Sequence, residues 1–289
     1  MISGLLPILL FLTSFSTGFL GAIFGIGGGV VLIPVLSVFL GMPIKKVIAA
    51  SLICAVATSV ASTRNYLSQE LVNLRLALFL ESSAMVGSLL GVFLAVIAPS
   101  SVLYIVLGLV LLMIAIIQFR GYRAEDDLEV GGSIKKSKDP LAEKLKLAPE
   151  YYNSSISNLI GYDVVNSRLG LMASLLAGML SSSVGLGGGA LKVPIMNKIM
   201  KVPMKVSIAT STFMVGLTSS VGVIAYFSSG LLDLSIVPIM VLGITLGSTT
   251  GTKVMTRLRS SKLALAFGLL LIYLSYMAFS EGFELIFNG

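Results

Sequence analysis

Histidine is absent from the 289-residue chain and cysteine occurs once. Zinc proteases and Ser-His hydrolases depend on imidazole and most haem proteins use it as an axial ligand, so these readings are excluded or nearly so. The single Cys54 cannot close an intrachain disulfide, and in its apolar segment it reads as a small packing residue. Charge is scarce as well. Asp, Glu, Lys and Arg make up 11% of the chain, under half of the roughly 25% usual in a soluble domain. With no acid–base pair or catalytic dyad in view, neither catalytic residues nor a metal nor a cofactor is expected, and the chain is not read as an enzyme.

What the chain does have is apolar sequence: 56% hydrophobic residues and a mean hydropathy of +1.00. It reads as a multi-pass protein of the cytoplasmic membrane. The first apolar segment lacks the basic start and small-residue cleavage site of a signal peptide. The net charge of +7 fits basic loops flanking membrane segments better than contact with nucleic acid, which is not an expected partner.

A spanning helix needs about 20 mostly apolar residues. Segments near 4–24, 46–66, 74–97, 101–119, 168–184, 206–228, 234–256 and 262–280 meet that need. Two further apolar pieces, near 30–41 and 190–200, are too short, and each follows a glycine-rich break. The charged, Gly/Pro-punctuated stretch between them divides the chain: residues 1–119 form a first membrane repeat, 120–167 an aqueous linker and 168–289 a second repeat.

Sliding the second half over the first by 160 residues exposes the duplication. Twelve of the thirty-four positions from Gly18 to Ser51 are identical to those from Gly178 to Ser211, including Gly25/Gly185, Gly27/Gly187, Gly28/Gly188, Gly29/Gly189, Pro34/Pro194 and Pro43/Pro203. Basic residues sort differently in the two copies. Arg64 and Arg75 flank one loop of the first half, while Lys253, Arg257, Arg259 and Lys262 crowd the following, non-equivalent loop of the second. Under the positive-inside rule equivalent loops then lie on opposite sides. The expected fold is therefore all-α: two inverted repeats of about five hydrophobic segments, each with a broken or re-entrant helical hairpin. The linker faces the cytoplasm and both termini face outside; Lys45 and Lys46 run against that assignment.

GIGGG at Gly25–Gly29 and GLGGG at Gly185–Gly189 follow membrane helices rather than strands, and no ribose-binding acid follows them, so they do not read as dinucleotide loops. Non-helical backbone at membrane depth survives only where it is packed in protein or lines a wet cavity. Glycines there leave convergent N–H groups with a half-helix N-terminus behind them, an arrangement that attracts anions. The alternative is close helix packing, which is the reading adopted for Gly87/Gly91 and Gly243/Gly247/Gly251.

Lys192, three residues beyond Gly189, either pairs with an anionic substrate or snorkels to lipid headgroups. Glu81, inside a predicted span, either carries a coupling proton or pairs with a basic residue such as Arg75. Ser51, Thr58 and Ser59, with Thr210, Ser211, Thr212, Thr218 and Ser219, bring hydroxyls to the helix after each hairpin; they bond backbone and neighbouring helices or face substrate.

The paired GIGGGVVLIPVL and GLGGGALKVPIM, each followed by a Pro-containing turn (MPIKKVIAAS and VPMKVSIATST), resemble the sulfite exporter TauE/SafE family over both halves. The resemblance implies a secondary transporter of small sulfur-containing anions such as sulfite or sulfonates, often outward, by alternating access. By motif position it implies paired substrate loops at Gly25, Gly27, Gly28, Gly29, Gly185, Gly187, Gly188 and Gly189, with Thr210 and Ser211 in the adjoining hydroxyl segment. Half one departs from that pattern, with Ala50 where half two has Thr210. The expected partners are a small anion, the bilayer and a coupling proton or cation. An anion channel, or an importer of a different small anion, is the alternative.

Overall fold

The computed structural model describes residues 2–24, 28–122, 139–147, 150–153, 158–232, 235–255 and 261–287. In the first half, α1 (Ile2–Phe24) leads through the glycine break to α2 (Gly29–Pro34), and α3 (Ile44–Leu67), α4 (Leu74–Ile97) and α5 (Ser100–Tyr122) follow. The linker contributes α6 (Pro140–Lys144) and a hairpin of β1 (Glu150–Asn153) and β2 (Asn158–Gly161), with Glu150 opposite Gly161. The second half repeats the pattern as α7 (Ser167–Ser183), α8 (Gly189–Pro194), α9 (Met204–Ser228), α10 (Val237–Met255) and α11 (Ser261–Phe287). Among the described residues, six helices are long and apolar enough to cross a membrane: α1, α3, α4, α5, α9 and α11.

The 160-residue offset survives in detail. Helices α2 and α8 end at Pro34 and Pro194, and each continues as one π-helical turn, Val35–Phe39 and Ile195–Ile199. Proline has no N–H and crowds the carbonyl four residues earlier, so a wider turn relieves the ladder where α geometry cannot continue. The turns close through Met42 N–H on Leu36 O and Val202 N–H on Met196 O, equivalent bonds of 3.2 and 2.9 Å. Pro43 and Pro203 then stand at the N-caps of α3 and α9.

Glycine lets neighbouring helices touch backbone to backbone. A Cβ on Gly247 would lie 2.0 Å from Phe15 O, and one on Gly251 2.5 Å from Phe19 O, which docks α10 on α1. Gly87 and Gly91 make the equivalent approach to Leu175 O and Met179 O of α7, at 2.0 and 2.1 Å. In both pairs the contact numbers rise together, so the helices run parallel. In contrast, Ser59 of α3 faces Gly216 of α9 while Leu52 faces Gly222, and Ser275 of α11 donates to Gly108 O of α5 at 2.8 Å while Gly282 meets Ser101. These two pairs, each a helix and its own repeat equivalent, run antiparallel.

The outer surface is apolar, with Val60, Phe93, Ile97, Ile224, Leu242 and Tyr276 all exposed, whereas among the described residues the interior contains hydroxyls and two charged side chains, Glu81 and Lys192. Exposed apolar surface on such helices faces lipid.

Part of the linker is anchored. Asn73 caps α4 by accepting Leu76 N–H at 3.0 Å, and its amide donates to Leu147 O and Tyr162 Oη at 2.7 and 2.8 Å. Asp139 accepts Leu141 N–H and Ala142 N–H of α6 and both Ser167 N–H and Ser167 Oγ of α7. Desolvation pushes the Asp139 carboxyl upward, but the hydrogen bonds from Ser167, Ala142 and Leu141 outweigh it and hold it below the ordinary carboxylate range.

Lys45 donates to Val96 O at 2.8 Å, at the C-terminal turn of α4, where a cation satisfies orphan carbonyls. That local role explains why its charge does not follow the loop pattern read from the sequence.

Candidate functional site

The glycine break in half two is buried throughout and lies between α7 and α8. Gly185, Gly187 and Gly188 take φ of +76°, +71° and +93°, a region that penalises every L side chain. Helical bonding resumes with Leu191 and Lys192 N–H on Gly188 O at 3.3 and 3.1 Å. Ahead of them, the N–H groups of Gly187, Gly188, Gly189 and Ala190 find no acceptor among the described residues. In half one Gly25 and Gly27 lie outside the described residues, while Gly28 and Gly29 are the N-cap and first residue of α2.

The two breaks meet. A Cβ on Gly29 would lie 2.2 Å from Gly185 O and 3.2 Å from Leu186 Cα, so the start of α2 rests on the loop of the other half. Ser51 Oγ lies 2.8 Å from Gly185 O and 2.7 Å from Ile48 O, which share its one proton, and Ser211 Oγ donates to Gly189 O at 3.2 Å. These hydroxyls hold the second loop from α3 and α9. Thr210 sits elsewhere: its Oγ1 accepts Asn73 N–H at 3.0 Å, at the start of α4.

Lys192, the fourth residue of α8, turns its stem back over the loop, so that a Cβ on Gly188 would be 3.1 Å from its Cε and 3.3 Å from its Nζ. The ammonium donates to Glu81 Oε2 at 2.8 Å, and the side chains are 0% and 2% exposed. Thr218 Oγ1 accepts from Lys192 and bonds Glu81 Oε1, closing a triangle between α4, α8 and α9. Ser88 Oγ continues the network, 3.2 Å from Thr218 O and 2.6 Å from Ser182 Oγ of α7. Beside it Ser219 Oγ is buried with no hydrogen-bond partner among the described residues, and a Cβ on Gly187 would approach it to 2.9 Å.

Two sequence expectations are corrected here. The partner of Glu81 is Lys192, not Arg75, whose guanidinium instead lies 3.5 Å from Lys146 O at the exposed end of α4. Lys192 does not snorkel to a surface, because a fully buried ammonium held by Glu81 and Thr218 has no reason to leave them. Ser88 and Ser182 escaped the sequence reading, as serines on different halves give no local signal of meeting.

The network exists once. At the 160-residue offset Lys192, Thr218 and Glu81 correspond to Leu32, Thr58 and Val241. Leu32 is fully buried in the apolar core and Thr58 donates to Cys54 O at 2.9 Å, so the repeat-related counterpart is uncharged.

Apolar-faced helices folded around two touching interruptions and a buried ion pair define a multi-pass membrane protein. The chain belongs to the family described as sulfite exporter TauE/SafE, whose model matches residues 10–277. It is 23% identical over 273 residues to the probable membrane transporter protein YunE of Bacillus subtilis (strain 168), with 92% of this chain and 94% of that one covered. It is 26% identical over 265 residues to the probable membrane transporter protein MJ0441 of Methanocaldococcus jannaschii, with 86% of each chain covered. No solved structure matches it. The chain is thus a membrane transporter, not an enzyme.

Proposed function

We propose that this transporter is a secondary carrier for a small sulfur-containing anion, sulfite, a sulfonate or a related oxyanion, across the cytoplasmic membrane. Export is the direction the family description suggests. The two glycine loops, Gly25, Gly27, Gly28 and Gly29 with Gly185, Gly187, Gly188 and Gly189, hold the anion by backbone N–H groups beside Lys192. Ser51 and Ser211 keep the second loop in shape, and Thr210 fixes the neighbouring start of α4. The observation that carries this reading is the meeting of the loops at Gly29 and Gly185, with Lys192 folded over Gly188 of the second loop, whose N–H groups find no acceptor among the described residues.

The repeats are inverted in this proposal. Helices α1 and α10 run parallel, as do α4 and α7, while α3 and α9 run antiparallel, which is the pattern of two halves related by a two-fold axis within the membrane plane. Alternating access then follows from one half rocking against the other about the shared site.

Binding tests the reading. In detergent, a panel of sulfite, sulfate, thiosulfate and ethanesulfonate is expected to raise the melting temperature for at least one sulfur anion over chloride. At 100 times its Kd a ligand adds about 2.7 kcal/mol. Lys192→Met is expected to abolish the shift. An equal response of wild type and variant would remove Lys192 from the site, and no response to any sulfur anion would count against the substrate class.

A further inference from the structure

We infer that Glu81 is the proton site that couples transport: a proton and a monovalent anion load together, and the anion takes the place of the Glu81 carboxylate on the Lys192 ammonium. This rests on the anion-carrier reading above.

The geometry sets up a competition. Any anion at the Gly188 loop meets an ammonium already neutralised by Glu81 at 2.8 Å, with Thr218 bonded to both. Adding an anion to an intact pair leaves a net negative charge at a fully buried site, which is strongly disfavoured. A proton on Glu81 removes that excess, since the neutral carboxyl can still bond Thr218 while Lys192 turns its charge to the anion. Anion and proton affinities then raise each other by one common factor.

Charge is conserved through the cycle. The empty site holds Lys192 as cation and Glu81 as anion, net zero. The loaded site holds the cation, a neutral carboxyl and the bound anion, again net zero. The half-loaded forms each carry one unpaired charge, so the two neutral forms are the ones that cross. The repeat-related positions, Leu32 and Thr58 of half one with Val241 of half two, carry no charge, so one proton accompanies one monovalent anion.

Other titratable groups lie apart from the pair. Arg75 of α4, Arg168 of α7, Lys198 in the π turn after α8 and Lys205 of α9 sit near element ends and are not buried. Of the uncharged titratable side chains described on neighbouring helices, Cys54 and Tyr66 lie on α3, Tyr104 on α5 and Tyr226 near the end of α9, while Lys45, Lys46 and Arg64 near the ends of α3 are not buried. Efflux under this scheme proceeds where the outward anion gradient exceeds the inward proton gradient.

The test uses the full chain in proteoliposomes with voltage clamped by potassium and valinomycin, and ethanesulfonate as probe. A sulfonate stays a monoanion across the range, so any pH dependence belongs to the protein. At subsaturating ethanesulfonate, wild-type uptake is expected to rise as the outside is acidified from pH 8 to 6, by up to about tenfold per unit for one linked proton. It should ignore the clamped voltage and carry one proton per anion into an entrapped pH dye. Glu81→Gln is expected to lose proton-coupled net uptake and to exchange labelled for unlabelled ethanesulfonate with no pH dependence and no proton, because its unloaded site keeps the unpaired Lys192 charge and does not cross. The same pH dependence in Glu81→Gln as in wild type would overturn the inference. Should that variant fail to fold, the wild-type count decides: ethanesulfonate moving without a proton overturns it equally. Wild-type vesicles that move no ethanesulfonate at any pH would instead contradict the carrier reading on which it stands.

Discussion

Removing one charge of the buried pair, as Glu81→Gln or Lys192→Met, is expected to lower the melting temperature in detergent by on the order of 10 °C, whereas the double variant is expected to lose far less. Breaking a buried pair from one side leaves an uncompensated charge and costs about 3–5 kcal/mol. Replacing both partners removes the desolvation of both ions along with their attraction, which is often close to neutral. The pair is fully buried between α4 and α8, so solvent does not rescue the remaining ion. Thermal melts of the four proteins give the coupling directly as the departure from additivity. Additive losses would mean that Glu81 and Lys192 do not depend on one another, contrary to the 2.8 Å contact.

The second large effect separates glycines that look alike in the sequence. Gly29→Ala is expected to destabilise by about 3 kcal/mol, because its Cβ would lie 2.2 Å from Gly185 O and backbone cannot step aside cheaply. Gly28→Ala is expected to be much milder: the nearest obstruction, at 2.1 Å, is Ile244 Cδ1, the free end of a flexible side chain. Gly41→Ala supplies a control for backbone strain alone, since its φ is +62° but nothing lies within 4 Å of its Cβ position. Its repeat equivalent Lys201 already tolerates φ of +61° with a full side chain. Melting temperatures ranked Gly29→Ala lowest, with Gly28→Ala and Gly41→Ala near wild type, are the expected outcome. A mild Gly29→Ala would mean that the two loops are not pressed together.

Much of the fold was legible because membrane helices announce themselves by long apolar runs. The segments read near 74–97 and 206–228 coincide with α4 and α9 to within two residues. The short pieces after each glycine break coincide with α2 and α8 and their π turns. The repeat was legible for a different reason: glycine and proline positions are dictated by backbone, so they persist in register where apolar side chains interchange. What the sequence hid is non-local. Glu81 and Lys192 lie 111 residues apart, and nothing within four residues of either reports the other. Their meeting depends on α4 packing against α7 and α9 of the opposite half, through Gly87 and Gly91 on one side and Thr218 on the other. Counting charge in loops likewise could not anticipate Lys45, whose ammonium is spent on the end of α4. The linker carried no apolar face long enough to span, and its folded part depends on contacts with Asn73 at the start of α4 and with Ser167, where the linker runs into α7.

The central claim is that the two glycine loops and Lys192 form the site of a carrier for a small sulfur anion. Its most direct test is accumulation of labelled sulfite in proteoliposomes under an imposed proton gradient, with wild type and Gly188→Val side by side. Gly188 has φ of +93° and lies against Lys192, so a branched side chain there would displace the loop from the ammonium. Wild type is expected to accumulate sulfite uphill, and a folded Gly188→Val is expected to accumulate none. Undiminished accumulation by the variant, or wild-type flux that only ever runs downhill as through a channel, would contradict the central claim.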